Sequence, residues 1–216
     1  NDGLVTPAIA DIFPGTLAAL GLVSAIHESK TSGKGQFLDV SMYDAMLAFQ
    51  KSAVAQYSFT GKPNPSGLQK AMTLYPFDLF PAKDGQVSIA VGQPHHWDLL
   101  CAAMERGDMI SDDRSATNTA RLKNVEWVEE QICAWTSQLT RAEIMAKLDG
   151  SLPAGPVQNM SDIFQDEHVA ARAMLDKCNP GGDNPDISLA ASPIKFSRSK
   201  TILYQSPPTL GEHNKE

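Results

Sequence analysis

Motifs for metal and nucleotide binding are missing from this sequence. It contains no HxxxH or HExxH pair, no P-loop, no GxGxxG fingerprint and no GxSxG elbow. His95 and His96 are adjacent, but no further ligand stands at a suitable spacing on the same helix face. The three cysteines, Cys101, Cys133 and Cys178, form no CxxC pair and are odd in number. We therefore expect no metal site, thiols that serve packing, and a reducing, cytoplasmic location.

Positive charge and long apolar runs are also scarce. Eighteen Lys and Arg stand against 25 Asp and Glu, for a net charge of −7, which argues against nucleic-acid and anionic-membrane surfaces. No apolar run approaches the roughly 20 residues needed to span a bilayer, and the first residues lack the pattern of a signal peptide. We expect neither nucleic acid nor a membrane as a partner.

The first 60 residues read as helix, strand, helix. Pro14 is placed to open an apolar helix, and Gly33 and Gly35 are placed to end it. Residues 36–42, QFLDVSM, alternate between apolar and polar, which predicts a strand. Residues 43–59 return to helical periodicity. This order is typical of an α/β protein.

The remainder, after a Gly- and Pro-rich loop at 60–72, is predicted to form a hairpin followed by a cluster of helices. Lys83-Asp84-Gly85 between two β-rich runs indicates a hairpin. Helices are predicted over HHWDLLCAAM, RLKNVEWVEEQICAWTSQL and RAEIMAKL, and Thr140 with Glu143 fits a capping box for the last of these. LPAGPV reads as a rigid connector, and DIFQDEHVAARAML as one or two short helices.

Asp11 stands among apolar residues, in the stretch AIADIFPG. Two interpretations are open from the residues alone. Asp is a good helix N-cap, and a carboxylate in an apolar setting can also be a nucleophile or a base.

The order and spacing of several motifs resemble a known family. Asp11 is followed by Gly15, a helix of small residues, the turn Gly33–Gln36 and the segment Leu38–Met42. Similarity continues through YPFDLFPAKDGQVSIAVGQPHHWDLLC, the arginine of TARLKNVEWVEEQI, LPAGPV and DEHVAARAML. Together these motifs resemble the class III CoA-transferase, or CaiB/BaiF, family, which includes formyl-CoA transferase, carnitine CoA-transferase and α-methylacyl-CoA racemase.

This resemblance implies a reaction and a set of site residues. Asp11 takes the place of the nucleophilic aspartate, which acts through acyl-aspartyl anhydride and aspartyl-CoA intermediates. Met42 matches a pocket-lining residue, and the loop from Gly61 to Gly67 matches a mobile loop over the active site. The substrates implied are an acyl-CoA and a carboxylate acceptor, with no cofactor apart from coenzyme A in the substrate thioester.

Gln93 bears on an alternative activity in the same family. Racemases of the family carry a glutamate in the segment that here reads IAVGQPHHW, and the matching position is Gln93, which cannot be a general base. That favours transfer over racemisation, although the racemase histidine would lie upstream of this chain. A racemase-like isomerase stays open as the alternative.

The resemblance also implies how the chain is organised. Residues 1–60 would be a segment of the large, CoA-binding domain, residues 61–195 a small α+β domain, and residues 196–216 a tail returning toward the large domain. Family subunits are nearly twice as long and form an interlocked homodimer. We therefore expect a partial class III fold, and an inactive truncated module stays open as a third interpretation.

Overall fold

The structure of the chain is a computed structural model. It describes residues 8–62, 73–179, 185–199, 208, 210–212 and 214. Contacts between residues divide the chain into two compact units, with the division between Thr73 and Leu74. Gly67 and most of the predicted loop at 60–72 lie outside the described residues.

The first unit consists of three helices: α1 (Ile9–Ser32), α2 (Met42–Phe49) and α3 (Lys51–Thr60). Gly33 ends α1 with φ of 71° and donates its N–H to the carbonyl of Ser29, as the sequence predicted. Helix α2 packs against α1, where the rings of Phe13 and Phe49 meet edge to face at 5.1 Å. This contact joins the start of α1 to the end of α2.

Three predictions for this unit were wrong. Helix α1 begins at Ile9, five residues before Pro14, so that the proline lies inside the helix. The predicted strand at 36–42 is absent, and residues 34–41 form neither helix nor strand. A strand is defined by hydrogen bonds to a neighbour, and no described residue pairs with this segment. The helix predicted over 43–59 is broken at Gln50.

The first unit leaves most of its apolar side chains exposed. Among its described residues only Pro14 and Ala45 are buried, whereas Phe37 and Phe59 are each 93% exposed. So little burial cannot by itself support a hydrophobic core.

Helix α1 has the length and composition to cross a membrane, alone among helices in the described part of the chain. The expectation that no segment is long enough was therefore wrong on those two criteria. Core helices of soluble proteins and signal sequences meet the same criteria, so the absence of a membrane partner stays a prediction.

A three-stranded antiparallel sheet organises the second unit. Its strands, in spatial order, are β1 (Phe77–Ala82), β2 (Gly85–Ala90) and β3 (Ala154–Pro156). Phe80 pairs with Val87, and Val87 pairs with Pro156. The hairpin between β1 and β2 turns at Lys83-Asp84, as predicted. The segment LPAGPV, predicted as a connector, supplies β3.

Helices and a second small sheet complete this unit. The helices are α4 (Pro94–Ala103), a 3₁₀ turn (Gly107–Ile110), α5 (Asn118–Lys123), α6 (Val125–Thr136), α7 (Arg141–Leu148), α8 (Met160–Gln165) and α9 (Glu167–Ala171), and the sheet pairs β4 (Leu175–Cys178) with β5 (Ile187–Ala190). The single helix predicted over 121–139 is instead two, α5 and α6, separated at Asn124. The capping box of Thr140 and Glu143 is confirmed.

The core of the second unit lies between the three-stranded sheet and helices α4, α6 and α7. Tyr75, Phe80, Trp97 and Ile132 are among its fully buried side chains. The indole N–H of Trp97 donates to the carbonyl of Met109 at 3.2 Å. This core fixes the segment before α4 and the start of α5, which together form the cleft described below.

Candidate active site

Asp11 is the third residue of α1, and its side chain is exposed. The helix is capped by Ala8, which makes no side-chain hydrogen bond, so the N-cap interpretation of Asp11 was wrong. The carboxylate makes no hydrogen bond or ion pair with any described residue. A negative charge in the first helical turn is favoured by the helix dipole and its unpaired N–H groups. The arrangement presents an accessible carboxylate at the start of α1.

The backbone around Asp11 is shaped by Pro14. Because proline has no N–H, the carbonyl of Ala10 lacks its usual donor within the helix. Pro14 itself is buried, while a Cβ on Gly15 would meet no described atom within 4 Å. An open position, Gly15, therefore lies one helical turn after the carboxylate.

Met42 is the first residue of α2 and is 51% exposed. The preceding Ser41 caps the helix by accepting a hydrogen bond from the N–H of Asp44. A core-packing role for Met42 is not supported within the described residues, since half of the side chain remains open. Its assignment to the substrate pocket stays a prediction.

Gly61 ends α3 in the left-handed conformation, with φ of 66° and its N–H bonded to the carbonyl of Tyr57 at 2.8 Å. This geometry is the usual requirement for glycine after a helix. Gly67 lies outside the described residues, so the proposed lid over the active site stays a prediction.

Gln93 belongs to the second unit, where it caps α4 without a side-chain hydrogen bond. It lines a cleft of about 330 Å³ together with Leu74, Val91, Thr117 and Arg121. That volume is in the range of small-molecule sites. Asp11, Met42 and Gly61 lie in the first unit, whereas Gln93 lies in the second.

Arg121 is a functional candidate to which the sequence assigned no role. In the sequence it contributes only to the family resemblance, whereas in the folded chain it is buried, with 3% of its surface exposed. Its Nε donates to the carbonyl of Tyr75 at 2.7 Å, and its Nη1 donates to the carbonyl of Ser115 at 2.8 Å. Burial lowers the pKa of the guanidinium, although arginine stays charged in proteins.

A metal site has no support in the described part of the chain. No group of three or more His, Cys, Asp or Glu side chains lies close enough there to hold an ion. The imidazoles of His95 and His96 contact each other edge to face, at 4.3 Å between ring centroids. The pair therefore gains no third ligand from the folded structure.

Comparison with known families confirms the resemblance found in the sequence. The model of CoA-transferase family III matches residues 3–214. The chain is 37% identical over 212 residues to succinyl-CoA:mesaconate CoA-transferase of Haloarcula hispanica, covering 98% of this chain and 53% of that protein. It is 28% identical to succinyl-CoA–D-citramalate CoA-transferase of Chloroflexus aurantiacus, covering 97% of this chain and 52% of that protein.

A solved structure supports the same fold. A CaiB/BaiF family protein from Brucella suis aligns with a TM-score of 0.79 and 29% identity, covering 98% of this chain and 55% of that one. The mixed α/β architecture is thus confirmed, and coverage of about half of that structure is consistent with the expected partial fold. The chain spans about half the length of the relatives that it matches.

Proposed function

Because the chain belongs to CoA-transferase family III, we propose that it carries the nucleophile of an enzyme that moves CoA from an acyl-CoA to a carboxylic acid. The observation that carries the proposal is the exposure of Asp11 and its lack of a partner among the described residues. Its carboxylate is exposed in the first turn of α1 and has no described partner. A nucleophile must be accessible to the substrate, and the exposed Asp11 satisfies that requirement.

The first half of the reaction would transfer CoA to the enzyme. An oxygen of the Asp11 carboxylate attacks the thioester carbonyl, and CoA leaves as its thiolate, which forms a mixed acyl-aspartyl anhydride. The thiolate then attacks the aspartyl carbonyl of the anhydride, releasing the donor acid and leaving aspartyl-CoA. Unpaired N–H groups at the start of α1 could stabilise the developing oxyanions.

The second half would return CoA to the acceptor. The acceptor carboxylate attacks the aspartyl-CoA carbonyl and expels the thiolate, which creates a second anhydride. The thiolate attacks the acceptor's carbonyl carbon, so the new acyl-CoA leaves and Asp11 is regenerated. The oxygen that bridged the anhydride stays on Asp11.

The relatives support a class of substrates. Their names pair succinyl-CoA with mesaconate and with citramalate, which are acids with more than one carboxylate. We extend this class to the present chain, as a donor and acceptor that each keep a free carboxylate beside the reacting group.

The racemase alternative is not favoured by the residue at position 93. Gln93 lies exposed at the cleft, but an amide cannot abstract the α-proton of an acyl-CoA. A racemase would exchange that hydrogen with deuterium from heavy water, whereas transfer leaves it in place.

The assembly implied by the resemblance is an interlocked homodimer. The exposed apolar surface of the first unit supports burial of that unit against further polypeptide, because surfaces of this kind are rarely left in water. The mass of the protein in solution, measured by light scattering, tests the dimer.

The decisive experiment replaces Asp11 with Asn and follows transfer of CoA from succinyl-CoA. Asp39→Asn is the matched control, since Asp39 is also exposed and lies in the same unit. We expect Asp11→Asn to abolish transfer while Asp39→Asn remains active. With an acceptor labelled in its carboxylate with oxygen-18, the peptide that contains Asp11 should gain one labelled oxygen. Transfer by the Asp11→Asn variant, or an unlabelled peptide from active enzyme, would refute the assignment.

A further inference from the structure

The cleft of the second unit contains a buried positive charge without a counter-ion. Arg121 lines the cleft and is 3% exposed. It forms no ion pair with a described residue, although Asp98 lies close enough to affect its pKa. Carbonyl acceptors offset part of the cost of burying this charge, but a buried charge without a counter-ion remains unfavourable, so this position favours an anion.

Part of the guanidinium is already committed to the fold. Nε and Nη1 donate to the carbonyls of Tyr75 and Ser115, and the planar group lies over the indole of Trp97 at 4.6 Å. These contacts hold the guanidinium in one orientation. A fixed orientation reduces the entropy lost when a ligand binds.

Nη2 is the part of the guanidinium left for a ligand. It makes no hydrogen bond to a residue that the structure describes. It is also not among the unpaired polar atoms that are sealed from solvent, so its N–H groups remain reachable. Since Arg121 lines the cleft, these N–H groups are available to an anion that enters it.

The rest of the cleft fits a short carbon chain that ends in an anion. Leu74, Val91 and Pro94 supply apolar surface. The hydroxyl of Thr117 accepts a hydrogen bond from the N–H of Ala120, which leaves its own proton free to donate. Apolar walls with one cation and one hydroxyl donor match a carboxylate on a few methylene groups.

We propose that Arg121 binds the free carboxylate of a dicarboxylic substrate in this cleft, with the apolar wall holding the carbon chain next to that carboxylate. The inference rests on the proposed CoA-transfer function and adds to it the residue that selects a second carboxylate. The cleft thereby distinguishes a dicarboxylic acyl group from a plain aliphatic one.

Binding to the chain is tested without turnover, using monomethyl succinate and dimethyl succinate as probes in NMR titrations. The two esters have the same carbon backbone, and only the first has a carboxylate. We expect monomethyl succinate to bind at least about tenfold more tightly. Equal affinities, or no binding of monomethyl succinate, would overturn the proposal.

Gln93→Glu is the variant that decides the residue assignment. It adds a negative charge at the cleft on an exposed side chain that has no capping bond, so the fold should be unaffected. Gln86→Glu is its control, because Gln86 is an exposed residue of β2 that does not line the cleft. We expect Gln93→Glu to weaken monomethyl succinate about tenfold and leave dimethyl succinate unchanged, and Gln86→Glu to change neither.

Arg121→Lys is a second test of whether the guanidinium binds the carboxylate, since lysine keeps the positive charge but lacks the planar set of N–H donors. The preference for monomethyl succinate should fall while the variant stays folded by circular dichroism. If the variant unfolds, Gln93→Glu alone decides, and an unchanged affinity there refutes the proposal. These titrations are independent of Asp11, so a failed carboxylate site and a failed nucleophile assignment give different results.

Discussion

The guanidinium of Arg121 lies over the indole ring of Trp97, with its central carbon 4.6 Å from the ring centroid. Both side chains are buried. The same guanidinium donates hydrogen bonds to the carbonyls of Tyr75 and Ser115. One side chain therefore joins the segment before β1, helix α4 and the loop before α5, and it serves the fold and the proposed site together.

This dual role predicts a large loss of stability when the guanidinium is removed. Arg121→Met leaves two buried carbonyls without donors, so we expect the free energy of unfolding to fall by about 3 kcal/mol. Urea denaturation measures the change. Arg114→Met is the control, since Arg114 also lies over an indole, that of Trp127, but is half exposed and pairs with Asp112 at the surface. If both variants lose similar stability, burial is not the source of the effect.

A local prediction concerns the start of α7. The hydroxyl of Thr140 accepts from the N–H of Glu143, and the carboxylate of Glu143 accepts from the N–H of Thr140 at 2.7 Å. Thr140→Ala removes one of these bonds and should cost about 1 kcal/mol in thermal or urea unfolding. Thr119→Ala, an exposed threonine in α5, should change stability by less than about 0.5 kcal/mol. Equal losses would contradict the capping role.

The features that sequence predicted well are those decided by near neighbours. The turn at Lys83-Asp84, the helix end at Gly33 and the box of Thr140 and Glu143 each depend on residues within one turn. Local conformational preference settles such features. The break at Asn124 was not predicted, because the apolar positions continue at helical spacing past that residue.

The features that sequence could not predict depend on distant partners. Residues 36–42 alternate like a strand, but a strand forms only where another strand supplies hydrogen bonds. Arg121 reaches Tyr75 across 46 residues of sequence, and no local pattern reports that contact. Asp11 was predicted only in part. The family resemblance identified it as a site residue, but its position inside α1, and not at the N-cap, was not predicted.

The contacts of Arg141 lead to a prediction about the pKa values of Asp162 and Asp84. It lowers the pKa of Asp162 chiefly through its side-chain hydrogen bond, and that of Asp84 chiefly through its backbone N–H. Arg141→Met keeps the N–H, so NMR titration should show the pKa of Asp162 rising further toward its usual value than that of Asp84. Equal rises would mean that charge alone sets both values.

The pKa values of Asp84 and Asp162 also determine how the stability of the fold changes in acid. Both folded-state pKa values lie below the unfolded ones. Their stabilising contribution is therefore complete above the usual carboxylate pKa and is lost as the pH falls through the lowered values. Unfolding measured from neutral pH into acid should show a smaller decline for Arg141→Met than for the unsubstituted chain.

Met42 provides a test of the proposed substrate pocket that does not involve the nucleophile. Met42 and Met160 are each the first residue of a helix, and they are 51% and 73% exposed. Neither truncation to Ala should cost more than about 1 kcal/mol of stability. If Met42 contacts the acyl-CoA, Met42→Ala should raise the KM for succinyl-CoA about fivefold, and Met160→Ala should leave it unchanged. Steady-state kinetics distinguish the two, and identical KM values for both variants would remove Met42 from the site while leaving the role of Asp11 intact.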